Sequence, residues 1–166
     1  MNTAKQTETS KHPLIVKRDE GETIKALGSE ITFLARQPGA WSLTRVSAPR
    51  GVGAPPHEHA FDESYYVLAG SLSVTAGGRE VALGAGEFVQ IPGGTVHGFR
   101  ATSDTPAVFL ILQAPGDADA FFRECAREIT NLPADLARMP EIAARHGIRV
   151  APSSCHPAAP GPSATL

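Results

Sequence analysis

From residue 23 to residue 113 the chain is a succession of short apolar runs, separated at intervals of about 8–12 residues by turns that carry glycine or proline. That punctuation argues for an all-β sandwich or barrel. Residues 23–27 and 31–35 flank Gly28-Ser29, and residues 41–47 alternate Trp41, Leu43 and Arg45 against Ser42, Thr44 and Val46. A Gly/Pro loop at 50–56 leads to runs at 63–68 and 71–75. Gly77-Gly78 then suits a tight hairpin needing positive φ, and residues 79–83 resume the sheet. After residues 88–91, Pro92-Gly93-Gly94 breaks the chain, and residues 95–101 form the next run. Residues 107–113 are so densely apolar that they predict a strand buried on both sides. Leu14-Ile15-Val16 is a candidate edge strand.

The ends read differently. Residues 1–12 are polar and aperiodic and predict a disordered arm, while Pro/Ala/Ser-rich residues 151–166 predict a disordered tail. Between the strands and the tail, residues 115–150 carry helical periodicity. Asp117 or Asp119 can cap a helix running to about Ile129, with Phe121, Phe122 and Cys125 on its packing side. A second short helix is expected to start at Pro140 and stop before Gly147. With 166 residues and 42% apolar content, one soluble globular domain is expected. A net charge of −2 with scattered basic residues gives no electrostatic reason to expect nucleic acid or an anionic membrane. Cys125 and Cys155 match no zinc or redox spacing, the first residues lack an apolar leader, and a reduced, cytoplasmic setting is the expectation.

Metal-binding side chains recur at His57, His59 and Glu63, with His97 downstream. If residues 57 to 70 run on as extended chain, period-2 alternation puts His57, His59 and Glu63 on one face. Three imidazoles and a carboxylate suit one divalent transition ion, whether Fe, Mn, Ni, Co, Cu or Zn, and leave room for water, substrate or dioxygen at a five- or six-coordinate centre. The bland alternative, four such groups converging on a barrel interior without an ion, carries a desolvation cost. His12 and His156 lie in the expected tails, and His146 suits the last turn of a helix.

These residues sit in a recognisable frame. Gly51, His57-x-His59, Glu63 and Gly70 match a first cupin motif, and Gly86, Pro92-x-Gly94 and His97 match the second, with a short stretch between. The chain resembles a single-domain cupin of the RmlC-like, quercetin-dioxygenase-like bacterial kind, in which the two motifs form strand pairs of a small β-barrel (a double-stranded β-helix or jelly roll) with a metal inside. The resemblance covers residues 51–101 directly. It implies a barrel over residues 13–114, metal ligands His57, His59, Glu63 and His97, and short C-terminal helices. Ala101 stands where the family often has Asn, which is not a ligand. The family's habit of pairing through its sheets implies a homodimer, with residues 14–35 and the C-terminal helices as contact elements.

The resemblance to quercetinase-like members implies a metal-dependent dioxygenase acting on an aromatic or enolisable small molecule, with Glu63 as both ligand and catalytic base. The pocket is then expected to be apolar. By strand parity Tyr65, Val67, Phe99, Phe109 and Ile111 are candidates for its walls, with Phe33 and Trp41 from the first strands, although each also serves as plain core. Arg45 or Arg100 could orient an acidic substrate, but a solvated surface role suits either. The same four ligands serve a non-redox cyclase, isomerase, lyase or decarboxylase equally well. A small-molecule-binding cupin without catalysis is a third reading.

Overall fold

The computed structural model describes residues 13–17, 20–116 and 118–151; the expected disordered arm and tail, and Asp117 as a helix cap, lie outside them. Among the described residues, eleven strands form two sheets. The strands are β1 (Glu22–Ala26), β2 (Ser29–Gln37), β3 (Trp41–Ala48), β4 (Gly53–Glu58), β5 (Asp62–Ala69), β6 (Ser71–Ala76), β7 (Arg79–Gly84), β8 (Phe88–Ile91), β9 (His97–Ala101), β10 (Ala107–Ala114) and β11 (Arg149–Val150). One sheet has the order β1-β2-β3-β10-β5-β8 and the other β11-β4-β9-β6-β7. Neighbours are antiparallel throughout, and the chain passes repeatedly from one sheet to the other, as in a jelly roll.

Each strand follows from its local pattern. In β3, Ser42, Thr44, Val46 and Ala48 are buried while the residues between them are only half covered, which is the signature of a strand with one face on the core. Gly77 (φ 56°) and Gly78 (φ 79°) make the two-residue β6–β7 turn, because a primed hairpin turn demands positive φ at both central positions. The core between the sheets is built on Tyr65, Val67, Leu72, Val74, Ile91 and Phe109, each at most 1% exposed. At roughly 1.5–3 kcal/mol per large apolar side chain, this layer dominates the stabilisation of the barrel.

Two expectations are corrected. Residues 14–16 form no strand: Leu14 and Ile15 are 69% and 72% exposed, Pro13 before them lacks a backbone donor, and Lys17 N–H donates to Glu20 Oε2, turning the chain. β10 is buried on one face only. Ala107, Phe109, Ile111 and Gln113 point inward, but Leu112 is 42% exposed, because β10 is central within its sheet while no described layer fully covers the sheet's outer side.

After β10 the chain forms α1 (Ala118–Glu128), a 3₁₀ turn (Ala134–Arg138) and α2 (Met139–Arg145, with Pro140 in its first turn). Asp119 lies within the first turn of α1 rather than capping it. α1 packs against β1, and Cys125, Ile129 and Ile142 join the core. Glu124 and Glu128 on α1 collect Arg127, Arg138, Arg145 and His146. Gly147 (φ 70°) ends α2, and β11 then closes on the free edge of β4, pairing Val150 with His57. No helix among the described residues is long and apolar enough to cross a membrane.

Candidate metal centre

His57, His59 and Glu63 do not share a strand face, which corrects the expectation from alternation. β4 ends at Glu58 in the five-stranded sheet and β5 begins at Asp62 in the six-stranded one, so His59 rides on the crossing between sheets. His57 comes from the end of β4, opposite His97 at the start of β9. Glu63 enters from β5 across the barrel. The second motif makes the reverse crossing from β8 to β9, and the two crossings are bonded to each other. Gly94 N–H donates to His59 O at 2.7 Å, and Gly93 N–H donates to the Asp62 carboxylate at 2.9 Å.

Gly93 and Gly94 serve different ends here. Gly94 has φ 78° with open space around its Cα, whereas a Cβ on Gly93 would lie 2.2 Å from the Ala60 carbonyl oxygen. One is required by backbone conformation and the other by close approach.

The four candidate ligand atoms lie within 4.8 Å of one another. His59, Glu63 and His97 are buried and His57 is partly exposed, on the side where β4 meets β11. All three imidazoles are oriented in the same way. His57 Nδ1 donates to Pro55 O (2.8 Å), His59 Nδ1 to Phe61 O (2.9 Å) and His97 Nδ1 to Thr95 O (2.8 Å). Because a carbonyl only accepts, each Nδ1 carries the hydrogen and each Nε2 is turned to the common centre, the arrangement in which histidines bind metals. Phe61 also stacks on the His59 ring, with centroids 3.6 Å apart and planes within 9°.

Glu63 gathers the rest. Its Oε2 accepts from Tyr65 O–H (2.7 Å) and lies 2.9 Å from His97 Nε2, which donates to it only while that ring carries a second proton, and its Oε1 accepts from Gln113 Nε2 (2.7 Å). Burial opposes the charge on Glu63, but the neighbouring imidazoles and the Tyr65 hydroxyl override it and hold the carboxyl far below the usual carboxylate range. Burial together with the Glu63 charge pushes the Tyr65 phenol up. Burial also works against charge on His97, yet its hydrogen bond to Glu63 wins and its pKa is raised; His57, desolvated and beside His97, is lowered.

His59 Nε2 is the telling atom. It is buried with no hydrogen-bond partner, and Glu63 Oε2 is 3.6 Å away, beyond bonding distance. An orphaned buried nitrogen costs about 1–3 kcal/mol, and an ion among four converging donors removes that cost. The donor set therefore fits a divalent transition metal.

The apolar candidates divide. Tyr65, Val67, Phe109 and Ile111 are at most 4% exposed and, with Phe99, form a packed floor in which the Tyr65, Phe99 and Phe109 rings meet edge to face. Phe99 stays partly exposed. Phe33 shares a face with Thr44, but the Arg123 guanidinium covers its ring at 4.4 Å from the centroid. Trp41 lies on the face of β3 opposite buried Ser42 and Thr44, on the outside of the barrel. Arg45 shares that outer side, and Arg100 is exposed on β9. Sequence reasoning passed over Gln113 and Ser42. The signal was available: Gln113 is polar at the inward parity of Phe109 and Ile111.

An antiparallel jelly roll whose inter-sheet crossings deliver three Nε2 atoms and one carboxylate to a single point defines a class of small metal-binding β-barrel proteins. Residues 44–112 match the cupin domain, and the chain shows similarity to quercetinase-type cupins. Over 115 residues, 67% of this chain, it is 27% identical to the quercetin 2,3-dioxygenase of Bacillus subtilis (strain 168), and it spans 34% of that relative's length. Among solved structures, KdgF from Halomonas sp. superposes with a TM-score of 0.59 at 23% identity, covering 65% of this chain and 97% of that one. The polyketide cyclase RemF from Streptomyces resistomycificus superposes with a TM-score of 0.53 at 26% identity, covering 61% of this chain and 79% of that one.

Proposed function

We propose that the chain is a metal-dependent, dioxygenase-like oxidoreductase acting on an aromatic or enolisable small molecule. The observation that carries the reading is the convergence of His57, His59, Glu63 and His97 around a buried, unpartnered His59 Nε2. Similarity to a quercetin 2,3-dioxygenase supports the choice of reaction. In this reading the imidazoles hold a divalent ion through Nε2 and Glu63 holds it through Oε2. The bound ion supplies a Lewis-acid centre for an enolate or phenolate oxygen. Glu63, held as the anion, is the acceptor for the enol or phenol proton. Both atoms of dioxygen end in the product and the substrate supplies the electrons. In this reading Phe99, partly exposed at the edge of the packed floor, contacts an apolar substrate.

A homodimer belongs to the same reading. Four exposed apolar residues share the outer face of β10, β5 and β8, where Tyr66, Leu68, Phe88 and Leu112 are 41%, 44%, 58% and 42% exposed. We place the contact there rather than at residues 14–35 or the helices.

The non-redox reading, a cyclase, isomerase, lyase or decarboxylase, is favoured by the likeness to the polyketide cyclase RemF. An oxygen electrode separates the two. Protein loaded in turn with Fe, Mn, Ni, Co and Cu is assayed against flavonols, diketones and catechols. Oxygen consumed one-for-one with substrate, and lost in His97→Ala, is the expected result. Substrate conversion without oxygen uptake would transfer the assignment to non-redox chemistry, and ligand binding without conversion would leave a non-catalytic cupin.

A further inference from the structure

We propose that Gln113 is a positioning residue of the metal centre: from β10 it holds Glu63 Oε1, so that Oε2 is the oxygen turned to the three imidazoles. The inference rests on the metal-binding reading above and deepens it. Gln113 lies directly opposite Glu63 on β5 and opposite Ser42 on β3, so the three side chains form one inward-facing row across the sheet. All are buried, Gln113 to 4% and Ser42 to 1% exposure. Two residues earlier on the same face stands Ile111, and an apolar side chain at 113 would extend that core without the cost of burying an amide. The amide is instead bonded at both ends. Nε2 donates to Glu63 Oε1 at 2.7 Å, while Oε1 accepts from Ser42 Oγ at 3.4 Å. Because a carboxylate only accepts, the NH₂ group must face Glu63, and the hydroxyl behind it favours the same orientation.

The consequence falls on Glu63. Tyr65 O–H takes one position on Oε2, and the direction left on that oxygen points at His97 Nε2 (2.9 Å) and His59 Nε2 (3.6 Å). Among the described residues, Gln113 is the one side chain hydrogen-bonded to Oε1. The terminal torsion of a glutamate is broad, so without this bond the carboxylate plane is free to turn away from the imidazoles. The amide thus fixes the rotation of the carboxylate, and the row of hydrogen bonds ties that rotation to the backbone register of three strands.

The experiment uses the full chain, stripped of metal and titrated with Co(II), whose visible absorption reports its ligand geometry. Gln113→Met removes both hydrogen bonds with little change in volume. The expected result is a Kd for Co(II) raised by about 10–100-fold, the usual effect of losing a partner that orients a metal ligand, together with an altered Co(II) spectrum. A Gln113→Met protein whose melting temperature falls while its Kd and spectrum match the wild type would overturn the proposal, because the amide would then be structural only. If that variant does not fold, Ser42→Ala tests the same row; a weaker Kd with a spectral change in the same direction supports it, and an unchanged Kd and spectrum overturns it. Failure of the wild-type protein to bind Co(II) would instead remove the metal reading itself.

Discussion

Replacing Gly93 by Ala tests how the site is braced. A Cβ at position 93 would lie 2.2 Å from the Ala60 carbonyl oxygen and 2.8 Å from its carbon. A carbon and a carbonyl oxygen approach to about 3.3 Å, so the two crossings must separate by roughly 1 Å. The obstacle is backbone and cannot rotate aside. Ala60 follows His59 directly, and His59 O is itself bonded to Gly94 N–H, so the displacement is delivered to a ligand. Metal–ligand distances tolerate about ±0.2 Å, several times less than this shift. Gly93→Ala should therefore weaken divalent metal binding by about 10–100-fold, or roughly 1.4–2.8 kcal/mol. Overpacking should also cost about 1–3 kcal/mol of fold stability, a fall in Tm of roughly 2–12 °C for a chain of this size. Gly94→Ala is the control. It meets no neighbour within 4 Å and carries only the strain of φ 78°, about 1–2 kcal/mol, so it should lower Tm while leaving affinity close to wild type. Chelator competition for Co(II), paired with thermal melts with and without metal, reads both quantities. Wild-type affinity in Gly93→Ala, or equal loss of affinity in the two variants, would refute the bracing argument.

Two further outcomes are expected. Burial pushes the Cys125 thiol up to about 12, so in a Cys155→Ser background the native protein should resist a thiol reagent at pH 8 and react only on unfolding. The unfolded thiol ionises near 8.5 while the folded one stays protonated, so stability should fall as pH rises above that value, by about 1 kcal/mol between pH 8 and 9.5 in urea melts, and Cys125→Ala should abolish this slope. Phe88→Glu, which places a charge at the most exposed of the outer-sheet apolar residues, should convert a dimer to a monomer in light scattering without changing metal affinity. A wild-type monomer, or a dimeric Phe88→Glu protein, would remove that contact face.

Much of the strand pattern was legible because it is set locally. Gly77-Gly78 can only turn, β3 alternates because its backbone is pleated, and Pro140 and Gly147 bracket a helix through their own dihedral preferences. The four donors were legible too, since their residue types and spacing match two motifs. Other features were decided between segments. Period-2 reasoning put His57, His59 and Glu63 on one face, but the chain changes sheets at His59, and the three meet only because the crossings lock together through Gly94 and His59. Leu112 looked buried because β10 is apolar on both faces, yet cover on the outer side is a property of the assembly, not of the run. Gln113 acquires its role from standing opposite Glu63 and Ser42, which a strand's own pattern cannot express. Sequence periodicity encodes which side of its own strand a residue occupies. Which side chains face one another across strands depends on register and on the corners between sheets, and these are fixed only when the whole barrel closes.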